Sequence, residues 1–136
     1  MAIDSPPVDD QDFETCKAFL ADLPRRLTGE EGRKIDPAAA LGRAWGDPAI
    51  VVQCGVGLPE EFDETSHCEV ANGVGWFVPE DQVDDQDADL LFTASGYTPV
   101  VSVAVPADYR PEGSAAVLAE LAGPVEEHLE LVDSCE

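Results

Sequence analysis

Ala44-Trp45-Gly46-Asp47-Pro48-Ala49-Ile50-Val51-Val52-Gln53-Cys54-Gly55-Val56 reads as a turn, then an apolar strand, then a cysteine at the strand's end. Gly46, Asp47 and Pro48 carry turn chemistry: glycine accepts unusual backbone angles, and Asp and Pro pre-set a bend. From Ile50 to Cys54 the side chains alternate. Ile50, Val52 and Cys54 point to one side, and Ala49, Val51 and Gln53 to the other. The residues before this stretch read as a helix and a linker. Those after it read as strands that pair back toward it and a closing helix.

Upstream, Phe13, Cys16, Phe19, Leu20 and Leu23 recur at spacings of three and four, which predicts a helix from Asp12 to Leu23 ended by Pro24. Residues 1–11 are polar and Pro-containing, and read as a lead-in or tether to a single domain spanning 12–136. Arg25 to Leu41 is a basic-leaning linker. Arg25, Arg26, Arg33, Lys34 and Arg43 hold most of the positive charge, which reads chiefly as local neutralisation of an acidic surface. Asp36-Pro37 suits the start of a short helical turn.

Downstream, 55–67 is a long acidic loop. Val70 to Val78 reads as a second strand whose Asn72-Gly73 and Gly75 suggest a bulge. Ala88–Ala94 and Val100–Val105 read as a hairpin across Ser95-Gly96-Tyr97-Thr98-Pro99. Leu118, Leu121, Val125, Leu129 and Val132 have helical spacing interrupted at Gly123-Pro124, with a short strand over Val117 to Leu121 as the weaker alternative. The order is helix, four strands, helix. The expected fold is α+β, a two-layer sandwich of an antiparallel sheet of about four strands with both terminal helices on one face.

The chain has 136 residues, enough for one domain with a real core. Net charge is −22, from 29 acidic and 7 basic residues, which argues against direct binding to a nucleic-acid backbone and disfavours an anionic membrane surface. The 44% hydrophobic content excludes wholesale disorder. No apolar run is long enough to span a bilayer. The first residues lack the positive and apolar regions of a signal peptide, which fits a cytosolic protein or the mature part of a longer precursor.

The cysteines bear on that choice. Cys16, Cys54, Cys68 and Cys135 contain no C-x-x-C pair, so a zinc ribbon or thioredoxin-like motif is poorly supported. Four cysteines allow three connectivities. In the four-strand fold, Cys54 and Cys68 end adjacent strands, and Cys16 and Cys135 lie on neighbouring helices. The expected bridges are therefore Cys54–Cys68 and Cys16–Cys135, against a competing reading of four reduced thiols. Bridges would place the chain in an oxidising compartment.

Ala44-Trp45-Gly46-Asp47-Pro48 with Cys54-Gly55-Val56, then Asn72-Gly73-Val74 with Trp76, then Val103-Ala104-Val105-Pro106 with Tyr109, resembles the DUF3515 family of actinobacterial exported proteins or lipoproteins of unknown function. The likeness runs from about Cys16 to Cys135. It implies an extracytoplasmic envelope location and an upstream signal or lipid anchor, and it brings no catalytic residues. Gln53, Gly75, Tyr97 and Ser102 stand where the family usually has charged residues. The joint loss predicts that these four positions meet in one network on the sheet face away from the helices.

No constellation selects a reaction. The histidines, His67 and His128, accompany no nucleophile motif. Asp85-Gln86-Asp87-Ala88-Asp89 begins like a calcium loop, but Leu90 and Gly96 stand where Gly and Glu are required. Asp81, Asp84, Asp85 and Asp87 are left as a solvated acidic loop or a loose cation site. No catalytic residue, metal site or cofactor is assigned. Trp45, Asp47, Trp76 and Tyr97 are the candidate binding surface, provided that the rings are exposed. The resulting expectation is a non-enzymatic envelope module binding an unidentified partner or ligand. The alternative is a carboxylate-dependent enzyme acting on cell-wall material.

Overall fold

A computed structural model describes residues 7–35, 40–60, 62, 68–110 and 112–133. In chain order the elements are α1 (Asp10–Ala21), β1 (Arg26–Leu27), β2 (Glu30–Arg33), β3 (Gly42–Trp45), β4 (Ile50–Cys54), β5 (Cys68–Ala71), β6 (Val74–Phe77), α2 (Glu80–Asp84), β7 (Leu90–Thr93), β8 (Tyr97–Thr98), β9 (Val101–Val105), α3 (Glu112–His128) and β10 (Glu130–Leu131). A short 3₁₀ turn, Ala107–Tyr109, links β9 to α3.

The fold is α+β. Its main sheet has eight antiparallel strands, not about four, in the order β1-β2-β3-β4-β9-β7-β6-β5. Three of the extra strands come from the segment that reads as linker and turn. Polar Glu30–Arg33 carries no alternation because it lies near an edge. Gly42–Trp45 is buried on both sides, with Trp45 opposite Ile50 and Ala44 opposite Val51. Another extra strand comes from Asn72-Gly73. Both residues have positive φ, +50° and +89°, as a two-residue hairpin turn of the I′ type requires. The segment 70–78 is therefore two strands folded back on each other, not one bulged strand.

Beyond β4 the chain crosses to the far edge at β5 and returns through β6 and β7. β9 thus inserts between β7 and β4. The expected pairing of the third and fourth predicted strands holds, with Phe92 opposite Val103 and Leu90 opposite Val105. On its other side Val103 faces Val52. This insertion separates Cys54 from Cys68, so the adjacency behind the expected bridge between them does not exist. The disulfide joins Cys16 of α1 to Cys54 of β4, with Cα atoms 5.5 Å apart. Both expected pairings, Cys54–Cys68 and Cys16–Cys135, are thereby overturned. Cys68 is itself disulfide-bonded. Cys135 lies outside the described residues.

One core cluster contains Cys16, Phe19, Leu20 and Leu23 from the N-terminal helix and its exit, Val117, Leu121 and Val125 from α3, and the inward side chains of β4, β9, β7 and β6. α1 begins two residues earlier than expected because the Asp9 carboxylate accepts the Asp12 backbone N–H at 2.8 Å, capping the first turn. Val8 packs against the core. α3 runs unbroken through Pro124, excluding a short strand at 117–121. It stops at His128, where Leu131 pairs with Tyr97 instead of continuing the helical spacing to Val132. The helical turn expected at Asp36-Pro37 falls on residues 36–39, outside the described residues.

Candidate functional site

Arg43 organises the largest described cavity. It stands on β3 beside the end of α1, where helix carbonyls lack intrahelical partners. Its guanidinium donates to the Leu20 carbonyl at 3.1 Å and the Leu23 carbonyl at 2.9 Å, with a longer contact to the Pro24 carbonyl at 3.4 Å. It also lies 4.9 Å from the Trp45 ring centroid. Burial lowers the Arg43 pKa from its usual value. Trp45 Nε1–H donates to the Pro24 carbonyl at 3.2 Å, fixing the same exit from α1.

The cavity against this corner has a volume of about 730 Å³ and is lined by Arg25, Arg26, Glu31, Gly32 and Arg43. Arg26 and Glu31 sit opposite each other on β1 and β2 and form an exposed ion pair at 2.9 Å. Arg25 makes no ion pair among the described residues. Gly32 pairs with Trp45 across β2 and β3 and carries no side chain into the space. Arg33, by contrast, turns to the Gly46 carbonyl at 3.2 Å. The basic segment is visible in the sequence. Which of its arginines converge is set by the β1–β2–β3 register.

Two further cavities flank the core. One of about 220 Å³ lies between β5, β7, α2 and α3, walled by Val78, Val83, Leu90, Phe92 and Leu118, with Arg110 and Glu69 at its polar side. Arg110 donates to the carbonyls of Gln82, Val83, Asp85 and Ala88. In the segment with the calcium-loop-like start, an arginine therefore occupies four backbone oxygens. The other cavity, about 420 Å³, lies beside Phe13, Lys17 and Leu41.

The candidate binding surface does not form as a surface. Trp45 and Trp76 are fully buried and Tyr97 is 7% exposed, all three within the core. Trp45 faces inward because its cross-strand partner is Ile50. Trp76 shares the core side of β6 with Val74, and Val78 just beyond the strand joins them in the core. Trp76 Nε1 has no hydrogen-bond partner among the described residues. Asp47 lies in the β3–β4 turn. There Tyr109 Oη donates to the Pro48 carbonyl at 2.6 Å, and a Cβ on Gly46 (φ +79°) would fall 2.6 Å from that hydroxyl. The motif residues are thus fold machinery: an inward Trp, a turn glycine, a bridged Cys, a hairpin Asn-Gly and a Tyr bracing the turn.

The four neutral positions do not form one network. Gln53 and Ser102 are direct cross-strand partners. Gly75 shares their face, by alternation with Phe77 opposite Thr93, but lies two strands from β9. Tyr97 instead belongs to the core cluster and feels Glu126 of α3.

His67 is outside the described residues. His128 Nε2 lies 3.0 Å from Asp22 Oδ2 and edge-on to Phe19, joining the ends of α3 and α1. With Glu127, these groups have ligand atoms within 4.8 Å of one another. Residues 106 apart in sequence give no spacing signal for this cluster.

Both tyrosines titrate above the ordinary phenol range of about 10. Burial and then Glu126 raise Tyr97. Burial and then Glu30, Asp108 and Asp47 raise Tyr109. The folded state keeps these protons where the unfolded chain releases them. Their stabilisation is therefore complete below about pH 10 and is lost as pH rises through the folded values. The urea midpoint should fall as pH rises above about 10. Phenolate absorbance of the native protein should appear at higher pH than that of the unfolded chain. A Tyr109→Phe variant should lose part of this alkaline dependence.

The fold and this corner define a class: a disulfide-linked α+β domain with an arginine-lined cavity on an otherwise strongly acidic molecule. The family model of DUF3515, described as a protein of unknown function, matches residues 1–133, and the chain belongs to that family. No curated protein and no solved structure matches it.

Proposed function

We propose that this chain is an extracytoplasmic, envelope-associated domain that binds a ligand or partner and performs no catalysis itself. The observation that carries the location is the Cys16–Cys54 bridge, because such bonds persist in oxidising compartments. No helix of the described residues is long and apolar enough to cross a membrane. The joint core cluster of α1, α3 and the sheet supports a two-layer arrangement with both helices on one sheet face, within one domain.

The binding reading draws on the cavities. Each of the three described has at most one carboxylate in its wall, and in the largest that carboxylate, Glu31, is paired with Arg26. A carboxylate-pair hydrolase needs two acids flanking one bond. The test of location is intact mass and thiol count on protein kept from reductant, followed by non-reducing peptide mapping. The expected result is no free thiol, a Cys16–Cys54 linked peptide, and Cys68 joined to Cys135, the one cysteine remaining in the sequence. Four free thiols would overturn the extracytoplasmic reading.

A further inference from the structure

We propose that the cavity of Arg25, Arg26 and Arg43 binds a small soluble phosphate monoester in its dianionic form. The chain has only seven Lys and Arg residues against 29 acids, yet three arginines line this one cavity. Among the described residues a single carboxylate, Glu31, stands against them, so the described wall carries three positive charges and one negative, a net of +2. That matches one phosphate dianion.

The three guanidiniums differ in role. Arg43 is fixed by the carbonyls at the end of α1 and by Trp45, so it presents a preorganised charge with no carboxylate partner among the described residues. Arg26 is held by an exposed ion pair that exchanges with solvent at little cost. Arg25 is the free arm, able to close on a ligand with the fork geometry that suits phosphate oxygens. Gly32 lets β2 lie close against the Arg25 backbone at the cavity wall, since a Cβ there would fall 3.3 Å from the Arg25 carbonyl oxygen.

The rest of the molecule sets the ligand's size. A net charge of −22 repels polyanions and anionic surfaces. At physiological salt, screening over about 8 Å restricts that repulsion to ligands extending beyond the pocket. A small ligand held by direct contacts escapes it, whereas a nucleic acid or an anionic vesicle does not.

This inference rests on the binding-module reading alone. Its failure leaves the disulfide map, which tests location, untouched. The experiment titrates the intact, oxidised protein with glycerol 3-phosphate by calorimetry and by amide chemical shifts. Expected are one saturable site, shifts centred on Gly32 and the Trp45 indole, and affinity falling as pH drops below about 6, where the phosphate loses its second charge. Arg25→Gln should weaken binding at least about tenfold. Arg33→Gln, outside the cavity, should bind as the wild type does. Arg25 has no ion pair among the described residues, so its variant should fold, which circular dichroism checks. Three results would each overturn the proposal: no saturable binding at millimolar ligand, unchanged affinity in Arg25→Gln, or binding to phosphatidate vesicles without binding to glycerol 3-phosphate.

Discussion

The Cys16→Ala, Cys54→Ala double variant is expected to lose about 4 kcal/mol of unfolding free energy, measured by urea denaturation against the oxidised parent. The bridge closes a loop of sequence separation 38. In the chain-entropy account, a loop of that size restricts the unfolded chain by about 4 kcal/mol. The loop spans α1, β1, β2 and β3, so the bond ties the N-terminal third of the chain to the centre of the sheet. Cys16 is fully buried and Cys54 is 1% exposed. Reductant should therefore reach the bond only through opening of the structure, and reduction should be slow in native buffer and fast in urea. Rapid reduction in native buffer together with an unchanged midpoint in the double variant would show that the bridge restrains nothing.

Trp45→Ala is expected to cost about 5 kcal/mol, enough to leave little folded protein in a domain of ordinary stability. Trp45 is fully buried between β3, β4 and the exit of α1. Truncating a buried Trp to Ala typically costs about 3–5 kcal/mol through lost contacts and the cavity left behind. Two further losses add to that. The Pro24 carbonyl loses the indole N–H, worth about 1 kcal/mol. Arg43 loses the ring it lies over, worth about 0.5–2 kcal/mol. Trp45→Phe separates these effects, keeping a ring while deleting the N–H. Trp76→Phe is the control, since its indole nitrogen has no partner among the described residues and removing that donor costs nothing there. Equal midpoints for Trp45→Phe and Trp76→Phe would refute the part assigned to the Pro24 bond.

These variants concern residues that carry the family resemblance, and the structure gives each a mechanical task. Trp45 fills the core, Gly46 adopts a positive φ under Tyr109, Cys54 is bridged, and Asn72-Gly73 makes the tight turn. A motif dominated by turn and core residues marks the fold without marking a reaction. The arginine cavity belongs to a different segment, whose charge reads in the sequence as neutralisation. Its convergence depends on β1 and β2, two short polar strands with no period to read.

The sequence by itself determined the local events. Helical spacing located α1 and α3, alternation located β4 and β9, and the turn residues between β7 and β9 placed those two strands side by side. Composition showed a strongly acidic chain, with 29 acidic against 7 basic residues. Each of these depends on contacts between residues a few positions apart, or on summed charge, and so is written in short windows. Tertiary structure alone decided the order of the strands. β9 enters the sheet between β4 and β7, and that placement moves Cys54 away from Cys68, while the packing of α1 against β4 brings Cys54 to Cys16. It also decided which arginines share a cavity and which rings are buried, because both depend on cross-strand register. Register is fixed by the burial of whole sheet faces against the helices, a property of elements far apart in the chain that no local window contains.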